Sequence, residues 1–281
     1  MICLGIFTLL IAGEGAGLFP VQVQDRWGYM NDRGTLVIAA RFDAADAFSE
    51  GLGAVRIGNL WGFVDEQGTL VIPPQFDETE PFSEGLALVR ICDRYGFIDH
   101  HGRYLINPRY ASATSFSAGV ATVKLEKSWS IIDRREQALA SGFKGLGAFG
   151  EGLAPARLKR LWGYVDAKGE WVIRPAFRNA YSFSEGLALA QNERGYGFIK
   201  SDGNWAISPA FPTAGERHSH FSSGLAPMFR DGQWGFIDKS GAFAIPARFH
   251  WAESFHKGLA RVQINGKTTY IRPDGMPVNP P

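Results

Sequence analysis

From Gly17 onward the chain is a succession of short runs in which apolar and polar positions alternate, each closed by glycine or a polar cluster. Gly85 to Arg90 is one such run, Tyr95 to Asp99 a second, and Tyr104 to Ile106 a third with Pro108 behind it. Alternation of period two reads as strand, so the elements expected are β-strands joined by tight turns. In the run from Trp61 to Asp65, alternation sets Trp61 and Phe63 on one face and Gly62 with Val64 on the other; in the preceding type of run Leu86 and Leu88 oppose Ala87 and Val89. Both faces are apolar. Such a sheet is suited to being sandwiched between copies of itself, with large side chains over the Gly and Ala of its neighbours. With that face buried, Trp162→Ala is expected to cost about 3–5 kcal/mol.

The runs recur at a nearly constant interval. Aromatic-Gly steps begin at Trp27, Trp61, Tyr95, Trp162, Tyr196 and Trp234, with degenerate versions at Trp129 and Thr268, and the successive spacings are 34, 34, 34, 33, 34, 38 and 34. Ten residues before each lies a Gly, from Gly17 to Gly258, and three residues before the last seven of these stands a Phe, from Phe48 to Phe255. The consensus FSEGLAxVRxxxxWGFIDxxGxxVIxPxFxxA describes a tandem repeat, eight copies of about 34 residues, each expected to form a three-stranded antiparallel meander. Between the second and third strands, Asp65 to Gly68 and its counterparts at Asp99, Asp166 and Asp238 read as hairpin turns: Asp accepts from amides two residues on, and Gly takes the position of positive φ. Pro74, Pro108, Pro175 and Pro209 stand where the third strand is expected to end, since Pro removes a ladder donor.

Stacked meanders either close into a propeller-like toroid or continue as an open β-solenoid or superhelix; the toroid is the first expectation and the solenoid the alternative. The repeat domain spans residues 17–281. Residues 1–16 form an apolar leader too short for a membrane-spanning helix, and their length suits a signal-peptide core or an N-terminal cap on the first repeat. A periplasmic or secreted location follows as the expectation, with a cytoplasmic one as the alternative.

The combination WGF[IV]D, VIxPxF and FSEGLAxV resembles the WG-repeat family, also called KWG repeats, over nearly the whole chain. That resemblance implies a β-rich protein, bacterial in most instances and often exported, and carries no assigned activity or catalytic residues. Two copies depart from the pattern. The fourth has Ser130 for Gly and Arg135-Glu136 where a turn Gly is expected; the eighth has Thr268-Thr269 for Trp-Gly, which reads as a cap on a terminal repeat lacking an outer neighbour.

Composition narrows the function. Lys plus Arg number 29 against 28 Asp plus Glu, which argues against nonspecific attraction to nucleic acid or an anionic membrane. Cys3 and Cys92 are too few and too far apart for a disulfide framework or a cysteine-rich zinc site. No nucleophile elbow, P-loop, HExxH or strand-to-helix GxGxxG is present, so neither cofactor nor metal is expected and the chain reads as a non-enzyme. A hydrolase assembled from distant repeats is the residual alternative, requiring paired acids that converge on one pocket.

Three features are candidates for binding. The seventh junction is lengthened, and its Glu216, Arg217, His218 and His220 would bulge from one face of a regular array toward a protein or peptide partner. Tyr104, Trp171 and Trp205 share one third-strand position and would form a stacking platform for a glycan, unless they serve as core in place of the Leu of sister repeats. Glu50, Glu84, Glu151 and Glu185 would form a carboxylate row for a basic partner or cation, or else bond the amides of their own loops; His100 and His101 read as exposed turn filler. The expected function is therefore an interaction module for a protein or peptide, with glycan binding as the alternative.

Overall fold

The computed structural model describes residues 17–213 and 219–278, and the apolar leader at 1–16 lies outside them. Among the described residues there are strands and no helices, gathered into eight antiparallel sheets that stand as blades around one axis: an eight-bladed β-propeller. Blade 2 is representative, with strands Ala44–Ser49, Leu52–Ile57, Leu60–Val64 and Leu70–Phe76 in spatial order. The last three are the expected meander. The first was not foreseen: the stretch leading into FSEG pairs with the following strand in blades 2, 3, 4, 6 and 8, which makes those blades four-stranded. Blade 5 has three strands: Pro155, in the strand Ala154–Leu158, has no N–H to offer an inner neighbour, and an isolated bridge, Leu146↔Ala156, forms beside it; in blades 1 and 7 the corresponding stretch falls wholly or partly outside the described residues.

These first strands lie nearest the axis. His256 of blade 8 is hydrogen-bonded to the backbone of Phe48 in blade 2, and Asp46 of blade 2 acts electrostatically on Arg261 and Tyr270 of blade 8, although blade 1 intervenes in the chain. Only elements close to the axis meet across two blades.

Blades are joined by one recurring contact. The aromatic after each WG glycine is fully buried and meets, edge to face, the Phe of FSEG in the next blade: Tyr29 with Phe48, Phe63 with Phe82, Phe97 with Phe116, Phe198 with Phe221, at ring separations of 4.6, 4.9, 4.8 and 4.7 Å. Behind it lie small residues of the next blade, such as Ala87 behind Phe63, as the alternation of large and small faces requires. The ring closes by the same rule. Tyr29 donates its hydroxyl to the Ala54 carbonyl of blade 2, and Tyr270 of blade 8 donates at 2.7 Å to the carbonyl of Pro20, the residue of blade 1 that corresponds to Ala54. Phe19, Val21 and Met30 of blade 1 share a core with Leu259, Tyr270 and Val278 of blade 8. An open solenoid is not supported. Blade 8 therefore has a neighbour, and Thr268-Thr269 is no cap.

Two readings of the repeat change. Pro74 does not end its strand: Leu70–Phe76 runs through it, but the register jumps from Phe63↔Ile72 to Trp61↔Phe76, so Pro74 sits on a bulge where no ladder bond calls for its N–H. That bulge passes directly over the WG glycine. A Cβ on Gly62 would lie 2.4 Å from the Ile72 carbonyl oxygen and 2.7 Å from Pro74 N, and Gly96, Gly163 and Gly197 are covered in the same way. The glycine makes room for its own blade's outer strand rather than for the neighbour's side chains. Trp61 and Trp162, by contrast, are only partly buried at the edge of their cores, each beneath an Arg of its own blade, Arg56 and Arg157.

The fourth repeat is the exception that the bulge explains. Its outer strand, Ala138–Phe143, is one residue shorter, Ser130 pairs directly with Ser141, and a Cβ is accommodated there. The lost residue, the 33-residue spacing and the lost glycine are one event. Gly62→Ala is accordingly expected to destabilise by about 2–3 kcal/mol through clash with backbone, while Ser130→Ala changes stability by under ~1 kcal/mol; chemical denaturation checks both, and equal effects would contradict the bulge account. In the same repeat Glu136 takes the turn glycine's positive φ and accepts a 2.7 Å hydrogen bond from Tyr110 of blade 3.

Candidate functional site

The FSEG turn is a two-residue hairpin whose central pair, Glu50-Gly51 in blade 2, has φ of 53° and 80°. Two positive φ values make a type I′ turn, easy for Gly but costly for Glu, by about 1–2 kcal/mol. The side chain recovers this by reaching the next blade. Glu50 accepts from Gly85 N at 2.9 Å, Glu84 from Ala118 N and Gly119 N at 2.6 and 2.9 Å, Glu151 from Gly186 N at 3.0 Å, and Glu185 from Gly224 N at 3.0 Å. Ser49, Ser83 and Ser184 donate to carbonyls of Phe82, Phe116 and Phe221 alongside. The carboxylates thus bond amides, but those of the next repeat rather than of their own loop, and the row is a belt holding blades together. His100 belongs to the same belt: its Nε2 lies 3.0 Å from Glu50 and its ring stacks on Phe82 at 4.5 Å, so it is no mere turn filler.

The turn aspartates behave as the spacing implied. Asp65 accepts from Gln67 N and Thr69 N at 3.0 and 2.7 Å, and Asp99, Asp166 and Asp238 repeat the pattern. At Asp238 the Ser240 hydroxyl and the turn amides hold the carboxyl below its ordinary range.

On the outer rim, Tyr104 and Trp171 are 39% and 36% exposed, each at the start of its blade's outermost strand. They do not form one platform. Blade 4, between them, has Ala138 at that position, and Trp205 of blade 6 is less exposed, packing edge to face on Phe177 of blade 5 at 5.7 Å. Of the lengthened junction, Glu216, Arg217 and His218 lie outside the described residues. His220 is exposed beside blade 8, where its backbone N–H and C=O both bond the hydroxyl of Ser254. Where the chain leaves blade 6 for that junction, a cleft of about 630 Å³ runs along Ala210 to Pro212 and faces Phe229 to Asp231 of blade 7.

A second opening, of about 810 Å³, lies where blade 8 meets blade 1. Thr268 stands there in place of the WG tryptophan, and the missing indole leaves space between the two blades. Arg261 enters from the blade 8 strand Ala260–Ile264, with its guanidinium carbon 5.8 Å from the Trp27 ring centre and 5.4 Å from that of Trp251. Glu253 holds it by two bonds, Nε to Oε2 at 3.1 Å and Nη2 to Oε1 at 2.7 Å. Burial works against that charge, but the bonds to Glu253 more than offset it and raise its pKa above the usual arginine value. Gln22, Gln24, Gln263 and Lys267 complete the walls. Of this cleft's residues the sequence marked Trp27, as an aromatic-Gly step, and Thr268, as a break in the eighth repeat; the signal left unread was that Trp251 and Arg261 break the repeat too.

Comparison with known proteins places the fold on record. A eukaryotic initiation factor structure matches at a TM-score of 0.58 with 11% identity, covering 92% of this chain and 83% of that one. The extracellular domain of the one component system BT4673 from B. thetaiotaomicron matches at 0.54 with 11% identity, covering 84% of this chain and 41% of that one. Hsv2 of Kluyveromyces marxianus matches at 0.50 with 10% identity, over 68% and 69%. At such identities the likeness is one of fold alone. No curated protein sequence matches the chain. The model of the WG containing repeat matches six times, at residues 27–61, 61–91, 95–129, 162–194, 196–233 and 234–267, each window opening at an aromatic-Gly step and the gap falling on the short fourth repeat. With six copies covering most of its length and every shared glycine accounted for by the bulge or a turn, the chain belongs to the WG containing repeat family.

Proposed function

We propose that this propeller is a non-catalytic interaction module that holds a protein or peptide partner against its outer rim. One observation carries the reading. The second residue of the outermost strand is a large exposed aliphatic in five consecutive blades: Val37, Val71, Leu105, Leu139 and Val172, between 40% and 52% exposed. In blades 6 and 7 the same position is Ala206 and Ala244, so the fold does not require the larger side chains. Tyr104 and Trp171, one residue before Leu105 and Val172, are exposed at the same rim. Large apolar side chains left exposed at one rim position from blade to blade mark contact with another molecule, and the outermost strands also offer an unpaired edge for an extended peptide.

The chemistry of the eight turn carboxylates supports the non-catalytic part, since the four glutamates and four aspartates described above are engaged by amides. The test uses the double variant Leu105→Ser, Val172→Ser, both on exposed positions. A partner retained from an extract of the source cells by the native protein and lost by the variant supports the rim; the same partner retained by both sinks it.

A further inference from the structure

Tandem repeats carry an internal control: a side chain the fold needs recurs from blade to blade, and departures that converge in space point to a separate task. At the junction of blades 8 and 1 three departures, Arg261, Trp251 and Thr268, converge beside Glu253, an acid whose position is Glu80 in blade 3 and Asp46 in blade 2. Arg261 stands where other blades have Ala54, Leu88, Leu189 or Pro227, and Trp251 stands where they have Ala44, Glu78, Ser112 or Asn179. Glu253 ties the arginine down, and Thr268 replaces the aromatic that would fill the space. The fold closes every other described junction without this set.

The chemistry of the walls selects a ligand. The two strong charges, Arg261 and Glu253, neutralise each other through their paired bonds, so the cleft presents no buried charge seeking a counterion. Lys267 is exposed to solvent, and what remains beside it to bond a guest are the primary amides of Gln22, Gln24 and Gln263 and the hydroxyl of Thr268, groups that both donate and accept. Trp27 and Trp251, both packed against the guanidinium, give the same cleft flat apolar walls. Amides matched to vicinal hydroxyls and indoles matched to the C–H face of a pyranose are the requirements of a neutral sugar, and about 810 Å³ is within the range of small-molecule sites. We propose that the cleft between blades 8 and 1 binds a neutral saccharide. This site is distinct from the outer rim and stands whether or not the rim holds a partner.

The test titrates the full chain with cellotetraose, maltotetraose and chitotetraose, following tryptophan fluorescence and calorimetric heat, with an oligogalacturonate as the charged comparison. At least one neutral tetrasaccharide is expected to bind, and the charged one more weakly. Trp251→Ala and Arg261→Leu restore residues that blades 2 and 3 already use at those positions, so both variants are expected to fold, and each should weaken the neutral sugar about tenfold or more, equivalent to about 1.4 kcal/mol. Gln263→Ala, half-exposed, gives a third variant should either of these fail to fold. Binding of no neutral sugar overturns the proposal, as does preference for the oligogalacturonate or affinity unchanged in the folded variants.

Discussion

Above about pH 10 the ring is expected to lose roughly 4 kcal/mol of stability for each further pH unit, an alkaline unfolding far steeper than its near-neutral net charge would suggest. Tyr29, Tyr164 and Tyr270 are 0%, 0% and 6% exposed, and each donates its hydroxyl to a backbone carbonyl of the next blade: Asp46 and Ala54, Tyr181, and Pro20. Burial is the first cause that lifts all three pKa values well above the usual tyrosine range. In the unfolded chain the same groups titrate near ~10. Below that pH both states keep the proton and the full stability is present. Above it the unfolded state releases protons that the folded state retains, so stability falls by about 1.4 kcal/mol per unit for each tyrosine until the folded pKa is passed. Denaturant unfolding at a series of pH values, with phenolate absorbance recorded in parallel, measures the slope. The triple variant Tyr29→Phe, Tyr164→Phe, Tyr270→Phe places at each site the residue that blades 2, 3, 6 and 7 already carry there, and its slope should flatten; an unchanged slope would contradict the assignment.

Phe63→Ala is expected to cost about 3–5 kcal/mol, more than Trp61→Ala at about 2 kcal/mol, although Trp is the larger side chain. Phe63 is fully buried between blades, against Phe82 and Ala87, and its removal leaves a closed cavity. Trp61 covers the rim of the same cluster beneath Arg56, and the space left by its indole opens to water. The same holds for Trp162, partly buried under Arg157, so the 3–5 kcal/mol expected there from alternation alone is revised down toward the Trp61 value. Midpoints and slopes of urea unfolding for the two blade 2 variants decide it, and a larger loss for Trp61→Ala would reverse the face assignment.

Much of this architecture was legible in the chain because repetition turns weak local signals into strong ones. The strand alternation, the Asp-turn-Gly hairpins and the count of eight units all appear in the structure where the spacing put them. What escaped were features whose partner lies in another part of the chain. Ala44–Ser49 has too little alternation to announce a strand, and it pairs only because Leu52–Ile57 offers an edge beside it. Gly62 and Pro74 looked like separate signals, one about packing and one about strand ends, when a single bulge demands both. The glutamate belt needed the blade-to-blade rotation that brings Gly85 to Glu50, which no single repeat encodes. The cleft at the closing junction was hidden for the same reason. Trp27 and Arg261 are 234 residues apart, and only closure of the ring makes them neighbours.

Ring closure is therefore the claim on which the rest depends, and a distance across the closing junction tests it most directly. Spin labels on the turn residue Asp25 of blade 1 and on Lys267, the first strand residue after the corresponding turn of blade 8, in a chain with its two cysteines replaced by serine, report that distance by pulsed electron resonance. A closed propeller gives a single short distance, matching that between labels on the corresponding turns of blades 1 and 2, at Asp25 and Asn59. An open array would place Asp25 and Lys267 at opposite ends of the molecule, and a long or broad distance between them would contradict the ring and the saccharide cleft together.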